Sequence, residues 1–394
     1  LDTDDDHLID NLYKLADQLR NGYVREPREL NHEIVFGDRD YVSESEIPEH
    51  GLLEITALRR KMENGTTALT IMAVNKTVDR PRGINCIFQP ELRIDSANND
   101  FVFEKYAGAV NFDVLDEEEQ SLELQYQNKH VYGTGLGTAV NWDIDAKGSG
   151  YIRNDFFPEC EVPSMDFTLP KNCGVSDKTL SMKYLSDLDE TDRNEKINDL
   201  TKLVDAYSAW IDDLFARSHS LNPRFMKATE KNLKGCREAC ERMRNGIGIL
   251  REDGRAWDAF QLANRAMFMQ RVQLAVQREY PATFPDEREL SDVLKNIDYV
   301  TADTAFPKDR YAWRPFQLAF MLLDVVSVTD DSSADRSMVD LIWFPTGGGK
   351  TEAYLGLTAM TIFYRRFRHP EESNGTTVIM RYTLRLLAAQ QFTR

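Results

Sequence analysis

The residues best equipped for chemistry in this chain are Thr346, Gly347, Gly348, Gly349, Lys350 and Thr351. Three consecutive glycines let backbone N–H groups curl around phosphate oxygens without a Cβ in the way. Lys350 is spaced to reach the β- and γ-phosphates of a nucleotide, and the Thr351 hydroxyl is spaced to ligate Mg²⁺. Glu352 then opens a run, residues 352–367, that suits a helix, whose N-terminal dipole favours the same anion. Ahead of the glycines, residues 339–343 form a short apolar run with one Asp, which reads as a buried strand. Strand, Gly-rich turn and helix together are the setting a phosphate loop requires. An incidental Gly-rich turn is the bland alternative.

The full loop pattern is G-x-x-x-x-G-K-[ST], and here Phe344 stands at its first Gly. Pro345, Thr346, Gly347, Gly349, Lys350 and Thr351 instead match the A-P-T-G-x-G-K-T form common in superfamily 2 helicases, which this stretch resembles. Two further segments fit that resemblance. Upstream, Arg314-Pro315-Phe316-Gln317 opens an apolar helix, and Gln317 lies 33 residues before Lys350. A Gln so placed can read an adenine edge with amide donor and acceptor together, and Phe316 or Trp313 can stack on the base. The competing reading is an ordinary helix start with Pro315 in its first turn and a solvated Gln317. Downstream, "GTTVIMRYTLRLLAAQQFTR" reads as turn, strand and helix. Arg385, Leu387 and Gln390 fit an R-x-L-x-x-Q arrangement, and Arg381 and Arg385 offer donors to a nucleic-acid backbone. A surface helix carrying two arginines is the alternative there.

A chain of 394 residues with 42% hydrophobic content is long enough for two or three globular domains. Its apolar runs fall well short of the ~20 residues a transmembrane helix needs, and no secretory signal is visible. The chain opens on Leu1 rather than Met, so residues before it are expected to be missing. Cys86, Cys160, Cys173, Cys236 and Cys240 are odd in number and lack C-x-x-C spacing. Reduced thiols are therefore expected, with Cys236 and Cys240 serving as core residues. The net charge of −17 opposes nucleic-acid binding overall. Residues 341–394, however, hold seven Lys/Arg against three Asp/Glu, a local +4 that leaves −21 on the remainder. A local basic field can still meet a phosphate backbone.

Four parts are expected along the chain. Residues 1–50 form an acidic segment with one helix near 8–19. Residues 51–185 hold short β-branched and aromatic runs, among them "FVFEKYA" and "LELQYQ", and read as an antiparallel β-rich accessory domain. "FDVLDEEEQ" mimics a Walker B strand but precedes the phosphate loop, and it reads as an acidic loop. Glycines 133, 135 and 137 fit neither nucleotide pattern and read as a turn. Residues 186–307 form a helical region and connector. There Ile197, Leu200, Val204, Tyr207, Ile211 and Leu214 repeat at helical spacing, as do Leu233, Cys236, Cys240, Met243, Ile247 and Leu250. "AFQLANRAMFMQ" reads as a third, more deeply buried helix. Residues 308–394 begin a RecA-like P-loop lobe built on a parallel sheet, so the fold class is α/β with accessory domains.

Taken together, "LANRAMFMQ", "WRPFQLAFMLL", "DLIWFPTGGGKTEAYLGL" and "VIMRYTLRLLAAQQFTR" resemble the helicase family of DISARM anti-phage systems. "NKHVYGTGLGTAVNWD" and "FFPECEVPSMDF" resemble the region ahead of that family's motor. The resemblance implies an ATP-hydrolysing, Mg²⁺-dependent DNA helicase or translocase in the bacterial cytoplasm. Its DNA would be single-stranded or tailed. Its partners would be a DrmB-like protein and a DNA methyltransferase of the same system. Members of that family are longer and continue through a DExx motif and an arginine finger. This chain is accordingly expected to be an N-terminal fragment whose hydrolysis belongs to the whole protein. Two alternatives stand beside this one. One is a non-catalytic DNA-sensing or scaffold module that docks the DrmB-type partner. The other is a related defence helicase such as that of Druantia.

Overall fold

A computed structural model describes residues 35–47, 50–62, 65–76, 87, 89–96, 101–106, 112–157, 165–279, 292, 295–302, 311–343, 348–372 and 374–381, with Lys14 and Glu29. The helix expected near 8–19 and most of the 281–307 connector lie outside these residues, as do Cys86 and Cys160. The fold is mixed, with small antiparallel sheets and helices. It divides into two compact units, Leu1–Ala109 with Asn128–Glu161, and Val110–Gln127 with Val162–Arg394.

The first unit holds two three-stranded sheets. β1 (Tyr41–Ile47), β2 (His50–Lys61) and β3 (Thr67–Asn75) pair in that order, all antiparallel. Gly65, at φ +84°, turns β2 into β3 in a left-handed conformation that costs glycine nothing. β4 (Arg93–Asp95), β5 (Ala139–Ile144) and β6 (Gly150–Asp155) form the second sheet with β6 central. The 101–106 segment, expected as a strand, forms no ladder among the described residues.

The second unit is helical: α1 (Glu117–Gln125), α2 (Met182–Leu185), α3 (Arg193–Ser218), α4 (Met226–Glu252), α5 (Gly254–Glu279), α6 (Pro315–Thr329) and α7 (Lys350–Arg368). The acidic stretch expected to be a loop, and the "LELQYQ" run expected to be a strand, together form α1. The cause is local. Asp116 accepts the Glu118 and Glu119 N–H groups at 2.9 Å, while Glu119 reaches back to the Asp116 N–H at 3.0 Å. That capping box satisfies end donors which a strand would leave to a neighbour.

Both apolar stripes form helices. Ile197, Leu200, Val204 and Ile211 are buried on α3, and Leu233, Cys240, Met243, Ile247 and Leu250 on α4. α5 buries Phe260, Ala263, Met267 and Phe268. These residues share one apolar core with Leu318, Met321 and Leu322 of α6 and Met360 of α7. Arg193 donates to the Leu250 and Arg251 carbonyls at 2.6 and 3.1 Å, closing the C-terminal end of α4. α3 packs on α4, α4 on α6, and α5 on α7. Two glycines sit where these helices come close. A Cβ on Gly246 would lie 2.1 Å from the Leu322 carbonyl oxygen, and one on Gly356 would lie 2.7 Å from Trp313.

Two segments depart from expectation. Residues 339–343 are extended but form no ladder among the described residues, and Val339, Leu341 and Trp343 are 91%, 82% and 69% exposed. Asp340 and Ile342 alternate with them and are half-buried. The pattern of a strand is present without a strand beside it to complete the hydrogen bonds. Residues 376–381 behave likewise, with Ile379 86% exposed. The described strands are all antiparallel, and a parallel sheet is absent among the described residues.

Candidate nucleotide-binding site

The site forms where the start of α6 meets the start of α7. A short antiparallel bridge, Ser181 with Ala312, sets the entry to α6, and the Trp313 N–H donates to the Leu180 carbonyl at 2.7 Å. Pro315 then sits in the first turn of α6, where its missing N–H costs nothing. Gln317 follows, 1% exposed rather than solvated. Its Oε1 accepts the Arg314 N–H at 2.8 Å, and its Nε2 donates to the Gly349 carbonyl at 2.7 Å. The two motifs separated by 33 residues in sequence are thus joined by one amide.

Gly349 caps α7 at φ +80°. A Cβ there would lie 2.7 Å from Gln317 Nε2, 3.3 Å from Arg314 Nη1 and 3.4 Å from Glu352 Oε2. Glycine is required twice over, by dihedral and by space. Gly348 is buried, and Lys350 and Thr351 are half-buried in the first turn of α7. Pro345, Thr346 and Gly347 lie outside the described residues, as do Arg385 and Gln390. Arg381 is described and exposed.

The Arg314 guanidinium lies over the Phe167 ring, 4.1 Å from its centroid. Phe167 also meets Phe316 at 5.5 Å between centroids. Arg314 Nη1 is buried with no hydrogen-bond acceptor among the described residues. Trp313, expected as a possible stacking residue, is instead a core residue. It is 1% exposed, and its indole N–H donates to Asn264 at 2.7 Å.

Two contacts from the helical region were not anticipated. Arg271 of α5 pairs with Glu352 at 3.7 Å. Arg242 of α4 holds Asp340 through two bonds of 2.6 and 2.8 Å, with Asp335 at 3.5 Å and Asp324 at 3.7 Å. Asp340 is one of the two half-buried residues of the 339–343 segment, which precedes the candidate phosphate loop in sequence. The Arg242 hydrogen bonds hold its carboxyl below the usual carboxylate range. Burial, then the Asp340 charge, pushes Asp324 up to about 7. Asp340, the one charge in the apolar run 339–343, was the signal available in the sequence; Arg242 and Arg271 had none.

Among the described residues no group of three or more His, Cys, Asp or Glu is placed to hold a metal, and no helix is long and apolar enough to cross a membrane. No family model matches the chain. The chain spans about 30% of the length of the curated relative it matches. That relative, which this chain resembles at 34% identity over 370 residues and 89% of its own length, is the DISARM protein DrmA of Bacillus paralicheniformis.

Proposed function

We propose that this chain supplies the nucleotide-gripping part of an ATP-dependent superfamily 2 DNA helicase or translocase acting in DISARM-type anti-phage defence. In this reading, residues 308–394 begin a RecA-like lobe. The observation that carries it is the 2.7 Å bond from Gln317 to the Gly349 carbonyl. It joins the two motifs through a buried polar contact that an incidental Gly-rich turn has no need of.

The residues fit a nucleotide with Mg²⁺. The α7 N-terminus and the Gly348 and Gly349 amides offer donors to phosphate, Lys350 offers an ammonium, and Thr351 a hydroxyl for the metal. Mg²⁺ commonly takes few protein ligands, keeping waters and substrate phosphates, so the lack of an acidic cluster among the described residues is compatible with it. When bound, the metal would neutralise charge on the β- and γ-phosphates. Gln317 keeps a second N–H and a second lone pair for an adenine edge, which it would meet only if nucleotide binding uncovers this side chain, 1% exposed here. Arg381, with Arg385 and Gln390, is the proposed contact to single-stranded or tailed DNA. A DrmB-like protein and a methyltransferase are the proposed partners, in the bacterial cytoplasm.

The test is ATP hydrolysis by the full-length protein with and without single-stranded DNA. DNA should stimulate turnover, and Lys350→Ala should lower it by orders of magnitude, since the lysine neutralises the transferring phosphoryl. Retention of most activity in that variant would remove this loop from the mechanism.

A further inference from the structure

We propose that Phe167 is a positioning residue of the nucleotide site, holding the Arg314 guanidinium against the phosphate loop. The proposal rests on the nucleotide reading of that loop. Phe167 lies 183 residues before Lys350, at the end of the "FFPECEVPSMDF" stretch, and no phosphate-loop or base-reading pattern in sequence marks it.

The argument is geometric. Arg314 lies 4.1 Å over the Phe167 ring, and its Nη1 sits 3.3 Å from where a Gly349 Cβ would be. One face of the guanidinium therefore meets an aromatic ring, while one nitrogen points at the loop. That nitrogen is buried with no acceptor among the described residues. Leaving a buried donor unsatisfied typically costs about 1–3 kcal/mol. An acceptor arriving on a nucleotide would remove that cost. The choice of partner matters. A carboxylate beside Arg314 would occupy its N–H groups and cancel its charge. A ring face fixes the guanidinium plane and leaves the in-plane N–H groups for a ligand.

Phe167 is itself held. The Thr168 N–H and hydroxyl both donate to Asp166, at 2.8 and 2.7 Å, forming a turn on either side of the ring. Phe316 also packs against it, at 5.5 Å between ring centroids. A merely space-filling phenylalanine would be replaceable by leucine. A positioning one would not.

The experiment measures ATP affinity and thermal stability of the full-length protein as wild type and as F167L, F167W, R314A, R314A/F167L and K350A. Leucine keeps the apolar volume without a ring face. Loss of a cation–π contact should weaken ATP roughly two- to thirty-fold in F167L. F167W should keep near wild-type affinity, and the double variant should be no weaker than R314A. Wild-type affinity in F167L, equal weakening in F167W, or multiplying losses in the double variant would each overturn the proposal. If R314A and K350A leave ATP affinity unchanged, the nucleotide reading itself fails. If those two weaken ATP while F167L does not, only the role of Phe167 falls.

Discussion

Gln317 serves two neighbours, the Arg314 N–H and the Gly349 carbonyl, from a position sealed against water. Gln317→Ala would leave both part-buried groups without this partner, at a combined cost of about 1–3 kcal/mol. We therefore expect this variant to lose thermal stability as well as ATP affinity, and affinity for ATP more than for GTP. Competitive binding of the two nucleotides, with a melting curve, checks both. Unchanged melting would contradict the buried amide. Gly349→Ala is expected to do more harm to binding than to folding. It forces a Cβ to 2.7 Å from Gln317 Nε2 at φ +80°, so the loop must shift away from the phosphate path. Wild-type ATP affinity in that variant would show the left-handed turn to be dispensable.

The elements behind the loop are fastened by charge. Arg242 sits among Asp324, Asp335 and Asp340, joining α4, α6 and the segment before the phosphate loop. Removing it leaves the buried Asp324 and the half-buried Asp335 and Asp340 without their cation, so Arg242→Ala is expected to destabilise by about 1–3 kcal/mol. Asp324 adds a pH dependence. Its folded carboxyl titrates at about 7, whereas an unfolded one titrates near 3.9, so between those values the folded state holds a proton that the unfolded chain has lost. Stability from this group is full below about pH 4, declines as pH rises toward 7 and is level above. Asp340, held low by Arg242, stays ionised across that window. Melting curves from pH 5 to 8 should fall in the wild type and flatten in Asp324→Asn; parallel curves would sink the assignment. This scale also shows what sequence could convey. The 3,4 spacing of α3 and α4 was legible because a helix repeats its buried face locally. The strand pattern of 339–343 was legible as a pattern. Its burial was not, because that depends on a neighbouring strand distant in sequence. α1 was misread because a capping box outweighed the β-like residues after it. Phe167, Arg242 and Arg271 act across folds of the chain, where no local signal reaches.

The whole molecule carries −17, yet Arg271, Arg314 and Lys350 gather at the candidate nucleotide site. If residues 341–394 carry the nucleic-acid contact, affinity for single-stranded DNA should fall steeply with salt. Exposed Val339, Leu341, Trp343 and Ile379 give a second property of the whole. An exposed apolar edge of this kind is a surface that further chain can cover. We expect Trp343→Asp to lower the melting temperature of the full-length protein, because a covered indole contributes about 1.5–3 kcal/mol. No change would mean that this edge stays open in the complete protein.

The glycines at helix crossings bear on how any mutational survey of this protein is read. Gly246 faces the Leu322 backbone, and Gly356 faces Trp313 and Met321. Neither offers a side chain to a ligand, yet replacing either would pry apart helices that carry the ends of the site. A survey scored by activity alone would rank both beside the residues of the candidate site, and only a parallel measure of protein abundance would tell damage to the scaffold from the loss of a contact to a ligand.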